Sequence, residues 1–157
     1  MKILIATDGS EFSNAAVEKI CQMIENAPDA KVKIVSAYEQ PVMAVPAPYA
    51  ISAGYSPVLE NEMRELAEQA VAQAERKISE CFPALKKNLS TRVLFGSPEQ
   101  TIVEEAENWG ADLIVVGSHG YGFWERMLLG SVSNAVVHHA PCSVLVVREE
   151  SRNGGNC

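Results

Sequence analysis

The chain has 157 residues, 47% hydrophobic and 21% charged, which is the balance of an ordinary globular domain with one core. Its formal net charge is −7 and its lysines and arginines form no block, which argues against binding to nucleic acid or an anionic membrane. No apolar run approaches the roughly 18 residues of a transmembrane helix. The apolar stretch before Asp8 is too short for a signal peptide, so we expect a cytoplasmic location.

Apolar runs and turn residues alternate along the chain in a regular pattern. Short apolar runs bounded by turn residues predict buried β-strands at residues 2–7, 31–37, 89–95, 112–116 and 142–147. Helical spacing of apolar residues predicts α-helices at residues 15–24, 58–81, 98–109 and 131–139. Strands that alternate with helices are typical of an α/β fold, so we expect a single doubly wound, five-stranded parallel sheet with helices on both faces.

Two of the helices carry more detail. Ser97 is expected to cap the third helix with its hydroxyl, Pro98 suits the first helical position, and Gln100 completes a capping box. Gly110 follows Trp109 and is expected to end that helix. The long second helix is expected to bury an apolar stripe. Its members are Leu59, Met63, Leu66, Ala70, either Ala74 or Val71, and Ile78.

Two segments interrupt the alternation of strands and helices. Residues 40–57 contain four prolines and are expected to form a long loop. Residues 149–157 are polar and are expected to form a disordered tail. Residues 1–148 are therefore interpreted as a single domain.

The four cysteines are widely spaced along the chain, at positions 21, 81, 142 and 157. They form no C-x-x-C pair and have no histidine at zinc-ligand spacing. The pattern predicts neither a disulfide framework nor a zinc site. We expect three buried thiols and a loose fourth one, Cys157, at the C-terminus.

The most distinctive motif follows the fourth strand. Gly117 and Gly120 are followed by nine residues and then by Gly130-Ser131, which opens the last helix. Glycines let a backbone approach an anion, and the first turn of a helix presents N–H groups and the positive end of its dipole. With the hydroxyls of Ser131 and Ser133 as further donors, this pattern predicts a phosphate-binding loop. A side chain at position 120 or 130 is expected to occupy phosphate space.

The spacing Gly-x2-Gly-x9-Gly-Ser resembles the ATP-binding signature of the universal stress protein family. The opening Ile-Leu-Ile-Ala-Thr-Asp-Gly-Ser at 3–10 and the ending Ala-Pro-Cys-Ser-Val-Leu-Val-Val at 140–147 are similar to the same family. The likeness covers residues 1–148. It implies a Rossmann-like adenine-nucleotide-binding fold with strand order 3-2-1-4-5, in which the nucleotide lies between the first and fourth strands.

The resemblance also implies a set of ligand-binding residues. Those that would hold the phosphates and ribose are Gly117, Gly120, Gly130, Ser131, Val132 and Ser133. Those that would line the adenine pocket are Ala6, Thr7 and Ala37, with Val116 beneath. The family usually has valine where this chain has Ala37, so the packing of adenine is expected to differ there.

Asp8 and His119 each keep two interpretations. Asp8 would face the ribose and phosphates, through a metal ion and waters, or it is simply the first residue of an Asp-Gly turn. His119 lies inside the glycine-rich loop, where it contacts phosphate or is a solvated side chain. The identity of any metal stays open.

The resemblance implies a regulatory, stress-response protein that binds ATP, or else AMP or ADP, with or without a bound Mg²⁺ ion. A slow ATP hydrolase is an alternative, although the chain has no G-x-x-x-x-G-K-[ST] motif and we assign no catalytic residue. A further alternative is an interaction module without nucleotide, in which the glycines only form a tight turn.

The fifth strand, residues 142–147, would be an apolar sheet edge. An uncovered edge of this kind favours pairing with another chain. Pairing with its own copy satisfies two-fold symmetry and is also what the family resemblance implies, so we expect a homodimer.

Overall fold

The computed structural model describes residues 1–24, 29–40, 57–119 and 129–148. Most of the predicted loop at 40–57 and all of the predicted tail at 149–157 lie outside these ranges. The strands are β1 (Lys2–Ala6), β2 (Lys31–Tyr38), β3 (Leu89–Phe95), β4 (Leu113–Gly117) and β5 (Ser143–Val147). All pairings are parallel and the order is β3-β2-β1-β4-β5, so the expected topology is confirmed.

Within the described ranges, four α-helices and one unpredicted 3₁₀ helix connect the strands. They are α1 (Glu11–Ile24), α2 (Pro57–Cys81), the 3₁₀ helix (Pro83–Lys87), α3 (Pro98–Trp109) and α4 (Ser131–His139). Helices α1 and α2 pack on one face of the sheet, and α3 and α4 pack on the other. Right-handed crossovers produce this arrangement, because the chain first moves outward from β1 to β2 and β3 and then crosses to β4 and β5 on the other side of β1. None of the helices in the described ranges is long and apolar enough to cross a membrane.

The central strands β1 and β4 are buried on both faces of the sheet. Ile3 and Ile5 point into the core beneath α1 and α2, whereas Leu4 points into the core beneath α3 and α4. Ile114 and Val115 of β4 alternate in the same way and are fully buried. Two-sided burial explains why these strands are continuous apolar runs rather than alternating ones.

Helix α2 is buried along only part of its length. Ala70, Ala74 and Ile78 are buried as predicted and Leu59 is half-buried, but Met63 and Leu66 are exposed, so the predicted stripe is wrong at these two positions. The 25 residues of α2 span about 37 Å, whereas the 8 residues of β2 span about 26 Å. The first turns of the helix therefore extend beyond the sheet.

Helix α3 begins and ends near the predicted positions, but its cap differs. Pro98 occupies the first turn as predicted, whereas the Ser97 side chain makes no capping hydrogen bond, so that part of the prediction is wrong. The carbonyl of Ser97 instead accepts hydrogen bonds from the backbone N–H and the hydroxyl of Thr101. Gly110 ends the helix in the left-handed conformation, with φ of 68°.

The thiols are less buried than expected. Cys21 and Cys142 are half-buried and Cys81 is exposed, so the expectation of three buried thiols is wrong. Cys81 is the last residue of α2. Cys157 lies outside the described residues.

An ion-pair cluster fixes α3 against the sheet. Glu105 is only 5% exposed and its two carboxylate oxygens bind Lys33 of β2 at 2.8 Å and Arg92 of β3 at 2.6 Å. The Lys33 ammonium also lies 4.7 Å from the centre of the Trp109 ring. One buried carboxylate thus joins a helix to two neighbouring strands.

Gly117, the last residue of β4, allows α1 to approach the sheet closely. A Cβ atom at this position would lie 2.7 Å from the carbonyl carbon of Phe12 and 2.8 Å from the backbone nitrogen of Ser13. Real Cβ atoms do not come so close to backbone atoms. The first turn of α1 therefore packs directly on the end of β4 because no side chain stands between them.

The Glu105→Gln substitution is expected to lower the free energy of unfolding by about 2–3 kcal/mol, because it leaves the half-buried Lys33 without its counter-charge. Urea unfolding followed by circular dichroism measures the change. Glu104→Gln is the matched control, since Glu104 is exposed on the same helix and should change stability by less than about 0.5 kcal/mol. Equal stability of the two variants would contradict a structural role for the cluster.

The Gly117→Ala substitution is expected to lower the free energy of unfolding by about 1–3 kcal/mol, because its methyl group collides with the backbone of α1. Thermal unfolding is the measurement. Gly130→Ala serves as a graded comparison, since a Cβ there lies 3.3 Å from the nearest atom and demands a smaller adjustment. A Gly117→Ala protein as stable as wild type would show that α1 does not need this close approach.

Candidate functional site

The sequence-predicted residues converge where β1 and β4 end side by side. The chain leaves β1 toward α1 on one face of the sheet and leaves β4 toward α4 on the other. In open α/β sheets such a divergence opens a crevice at the carboxyl ends of the strands. Residues 7–10, 117–119 and 130–133 all lie at this edge of the sheet.

The turn after β1 is held by its own polar side chains. Asp8 is exposed, and its Oδ1 accepts hydrogen bonds from the backbone N–H of Ser10 at 3.0 Å and from the Ser10 hydroxyl at 2.6 Å. The Ser10 oxygen in turn accepts a hydrogen bond from the backbone N–H of Ser13 at 3.3 Å and so caps α1. The Asp8 carboxylate is thereby fixed at the edge of the crevice.

Thr7 is buried and turned toward α1. Its hydroxyl oxygen accepts a hydrogen bond from the N–H of Gly9 at 3.2 Å and the hydroxyl donates to the Ser13 hydroxyl at 3.0 Å. The Ser13 hydroxyl in turn donates a hydrogen bond to the carbonyl of Ser10 at 3.0 Å. The hydroxyl of Thr7 therefore supports the turn that presents Asp8.

Three small or apolar side chains of the predicted adenine pocket share one face of the sheet. Ala6 of β1, Ala37 of β2 and Val116 of β4 all point to the side of α3 and α4. Ala6 and Val116 are buried and Ala37 is half-buried. The structure thus brings these three residues together at the ends of three adjacent strands, while the Thr7 hydroxyl bonds to α1.

The two ends of the glycine-rich segment are joined at one carbonyl group. The carbonyl of Ser118 accepts hydrogen bonds from the N–H of Gly130 at 2.8 Å and from the Ser133 hydroxyl at 2.9 Å. Ser118 also donates its N–H to the carbonyl of Val147 in β5 at 2.7 Å. Residues 120–128, and Gly120 with them, lie outside the described residues.

Gly130 lies against the backbone of the opposite end of the loop. A Cβ atom there would lie 3.3 Å from the Cα of His119 and 3.4 Å from the carbonyl oxygen of Ser118. That a side chain at position 130 would occupy phosphate space stays a prediction. Such a side chain would first press on residues 118 and 119.

The first turn of α4 has the features of an anion site. Gly130 offers no side chain to cap it, and the first intrahelical bond runs from the N–H of Asn134 to the carbonyl of Gly130. The backbone N–H groups of Ser131, Val132 and Ser133 precede that bond. Ser131 is exposed, whereas Ser133 is 3% exposed and its hydroxyl donates to the carbonyls of Ser118 and Gly130.

His119 connects the loop to α1. Its Nδ1 lies 3.0 Å from the Ser118 hydroxyl oxygen, within hydrogen-bonding distance. Its ring centre lies 5.2 Å from that of Phe12, in the first turn of α1. The imidazole thus contacts Ser118 of its own turn and Phe12 of the first turn of α1.

Two residues that organise the site were not predicted. Ser118 is 1% exposed and combines the carbonyl junction with the contact to His119. Ser118 could have been proposed from the sequence, because its hydroxyl lies between Gly117 and His119 of the predicted loop. Phe12 carried no such signal, because only tertiary packing brings it against residues 117 and 119. Within the described ranges no three His, Cys, Asp or Glu side chains are grouped as metal ligands would be.

Comparison with known proteins covers nearly the whole chain. Residues 1–148 match the model of the universal stress protein family. The chain is 34% identical over 150 residues to universal stress protein A homolog 2 of Coxiella burnetii, covering 94% of each protein. It resembles the solved universal stress protein UspA of Lactobacillus plantarum with a TM-score of 0.67 and 27% identity, covering 94% of this chain and 97% of that one. It also resembles a universal stress protein solved in complex with cAMP, with a TM-score of 0.62, 28% identity and 94% and 95% coverage. The chain therefore belongs to the universal stress protein family.

Proposed function

We propose that this protein binds an adenine nucleotide, ATP in the first place, and acts as a nucleotide-dependent regulatory protein of the stress response. The observation that carries the proposal is the first turn of α4, which has no side-chain cap and follows the glycine-rich loop beside β1. Three backbone N–H groups and the helix dipole favour a phosphate there. The cAMP complex of a family member that is 28% identical supports an adenine nucleotide as the ligand.

The donor set of the crevice fits a phosphate chain. We assign the phosphates to the N–H groups of residues 131–133, the exposed hydroxyl of Ser131 and the loop glycines, Gly120 included. His119 is placed to donate from Nε2, because a hydrogen bond from the Ser118 hydroxyl to Nδ1 would leave the ring proton on Nε2. Gly117 and Gly130 contribute by allowing close backbone packing, and Ser133 by holding the loop.

The sugar and base are assigned to the β1 side of the crevice. Asp8 would face the ribose, and its exposed carboxylate would also meet a Mg²⁺ ion carried by the phosphates. Ala6, Ala37 and Val116 provide an apolar wall on one face of the sheet for the adenine ring, and Thr7 would complete it through backbone and methyl contacts. A nucleotide placed in this way bridges the turns after β1 and β4. Its presence or absence can therefore change how the two turns are held relative to each other, which is the basis for a regulatory signal.

We also propose that the protein is a cytoplasmic homodimer that pairs through β5. This strand is at the edge of the sheet, and four of its five residues are apolar and half-buried. Both features favour a second copy as the cover for the strand.

The first experiment identifies small molecules released when the purified protein is denatured, by mass spectrometry, and titrates ATP, ADP, AMP and cAMP by calorimetry with and without Mg²⁺. A bound adenine nucleotide or a micromolar dissociation constant is the expected result. ADP that accumulates during incubation with ATP would favour the slow hydrolase. No ligand and no heat of binding would favour the interaction module.

The Ser131→Asp variant is expected to weaken nucleotide binding about 10–100-fold while leaving the fold at least as stable. A carboxylate in the first turn of α4 repels the phosphates, yet it interacts favourably with the helix dipole. Gln69→Glu is the matched control, because it adds the same charge at an exposed position of α2, on the other face of the sheet. An affinity of Ser131→Asp equal to that of Gln69→Glu would place the phosphate elsewhere.

Size-exclusion chromatography with light scattering is expected to give a mass of about twice the 17.0 kDa chain at micromolar concentration. The expected cause is the burial of the apolar edge of β5. A species with the mass of one chain at that concentration would overturn the dimer, and it would leave the nucleotide proposal untouched.

A further inference from the structure

Two cysteines that the nucleotide site does not use lie on neighbouring helices. Cys21 is in the last turn of α1 and Cys81 is the last residue of α2. Both helices pack on the same face of the sheet and run antiparallel to the strands that precede them. Their C-termini therefore lie at the same end of the domain.

An ion pair sets the two helices in register. Glu18 of α1 binds Lys77 of α2, one helical turn before the cysteines. Cys21 follows Glu18 by three residues and Cys81 follows Lys77 by four. Residues three and four apart share one face of a helix, so the two thiols lie on the same facing sides as the ion pair.

The surroundings of the two sulfur atoms differ. Cys21 is half-buried and packs against the core beneath α1 and α2, whereas Cys81 is exposed. Burial, followed by the influence of the neighbouring Cys81 side chain, raises the pKa of Cys21 to about 12. The placement of the two thiols beside each other rests on the Glu18–Lys77 ion pair and on the packing of both helices on one face of the sheet.

We propose that Cys21 and Cys81 form a peroxide-sensitive thiol pair, which closes reversibly to a disulfide between α1 and α2. The pair consists of one exposed thiol that an oxidant can reach and one half-buried thiol on the neighbouring helix, on the side that carries the Glu18–Lys77 ion pair. An exposed thiol with a second thiol nearby to resolve its sulfenic acid is the arrangement that a reversible redox pair requires.

The chemistry takes place in two balanced steps. The exposed Cys81 thiolate attacks an oxygen of a hydroperoxide, so an S–O bond forms while the O–O bond breaks. The leaving oxygen takes a proton from solvent and departs as water or an alcohol, which leaves Cys81 as the sulfenic acid. The Cys21 sulfur then attacks the Cys81 sulfur, the S–O bond breaks, and water leaves with the Cys21 proton. Burial continues to raise the pKa of Cys21 in this step, but the negative charge of the Cys81 thiolate no longer adds to that effect once Cys81 is a neutral sulfenic acid.

The crosslink would act away from the nucleotide site. Cys21 follows the first residue of α1 by ten positions, which is about 15 Å along the helix axis. The beginning of α1 contacts Gly117 and His119 at the carboxyl ends of the strands, whereas its end lies near their amino ends. The proposal is therefore independent of nucleotide binding.

The test uses the full chain with Cys142→Ser and Cys157→Ser, which retains only Cys21 and Cys81 of the four cysteines. After treatment with hydrogen peroxide, peptide mapping by mass spectrometry is expected to find residues 21 and 81 joined within one chain. Dithiothreitol should restore both thiols. The closed form should melt at least about 5 °C higher than the reduced form, because the link constrains the unfolded chain, and closure should become faster as pH rises.

The single variants Cys21→Ser and Cys81→Ser provide the controls. Without Cys21, Cys81 is expected to progress to sulfinic acid, because no neighbouring thiol intercepts the sulfenic acid. Without Cys81, Cys21 is expected to stay reduced over the same period. Peroxide-treated protein with retained thiols, with separately oxidised cysteines, or with links only between chains would overturn the proposal. The mapping of wild-type protein decides the question even if a variant does not fold.

Discussion

The close approach of α1 to the end of β4 is the contact on which the rest of the site depends. At Gly117 the backbone of Phe12 and Ser13 occupies the space where any other residue would have its Cβ atom. Because the helix starts so near to β4, Phe12 reaches His119, and Ser13 bonds to the Thr7 hydroxyl below the turn of Asp8. One missing side chain thus allows two turns from neighbouring strands to be held together before any ligand is present.

The opposite side of the crevice is organised around a single carbonyl group. Ser118 binds the N–H of Gly130 and the hydroxyl of Ser133, so the entrance and exit of the glycine-rich segment are tied together next to the first turn of α4. The hydroxyl of Ser133 is used for this link, so the donors of the proposed phosphate site are the backbone N–H groups at the start of α4 and Ser131. Preorganisation of this kind reduces the conformational cost of binding a phosphate chain.

Stability and the proposed nucleotide binding depend on different parts of the domain. The Glu105 cluster joins α3 to β2 and β3, and the Cys21–Cys81 pair lies between the ends of α1 and α2. Both lie away from the crevice, so oxidation or a stability variant should alter the scaffold without touching the nucleotide donors. The Ser131→Asp variant does the reverse, since an added charge at the beginning of a helix supports the helix and opposes a phosphate.

The sequence by itself determined the five strands, their order through the family resemblance, and the location of the glycine-rich motif. These features are local, because apolar runs, turn residues and glycine spacing are read along the chain. Only the tertiary structure decided that Met63 and Leu66 are exposed, that Ser97 does not cap α3, and that Cys21 is half-buried while Cys81 is exposed. It also decided what Gly117 and Gly130 make room for, since each packs against backbone that the fold brings to it. Contacts of this kind depend on helix length, crossover handedness and inter-element distance, and none of these can be read from a single segment.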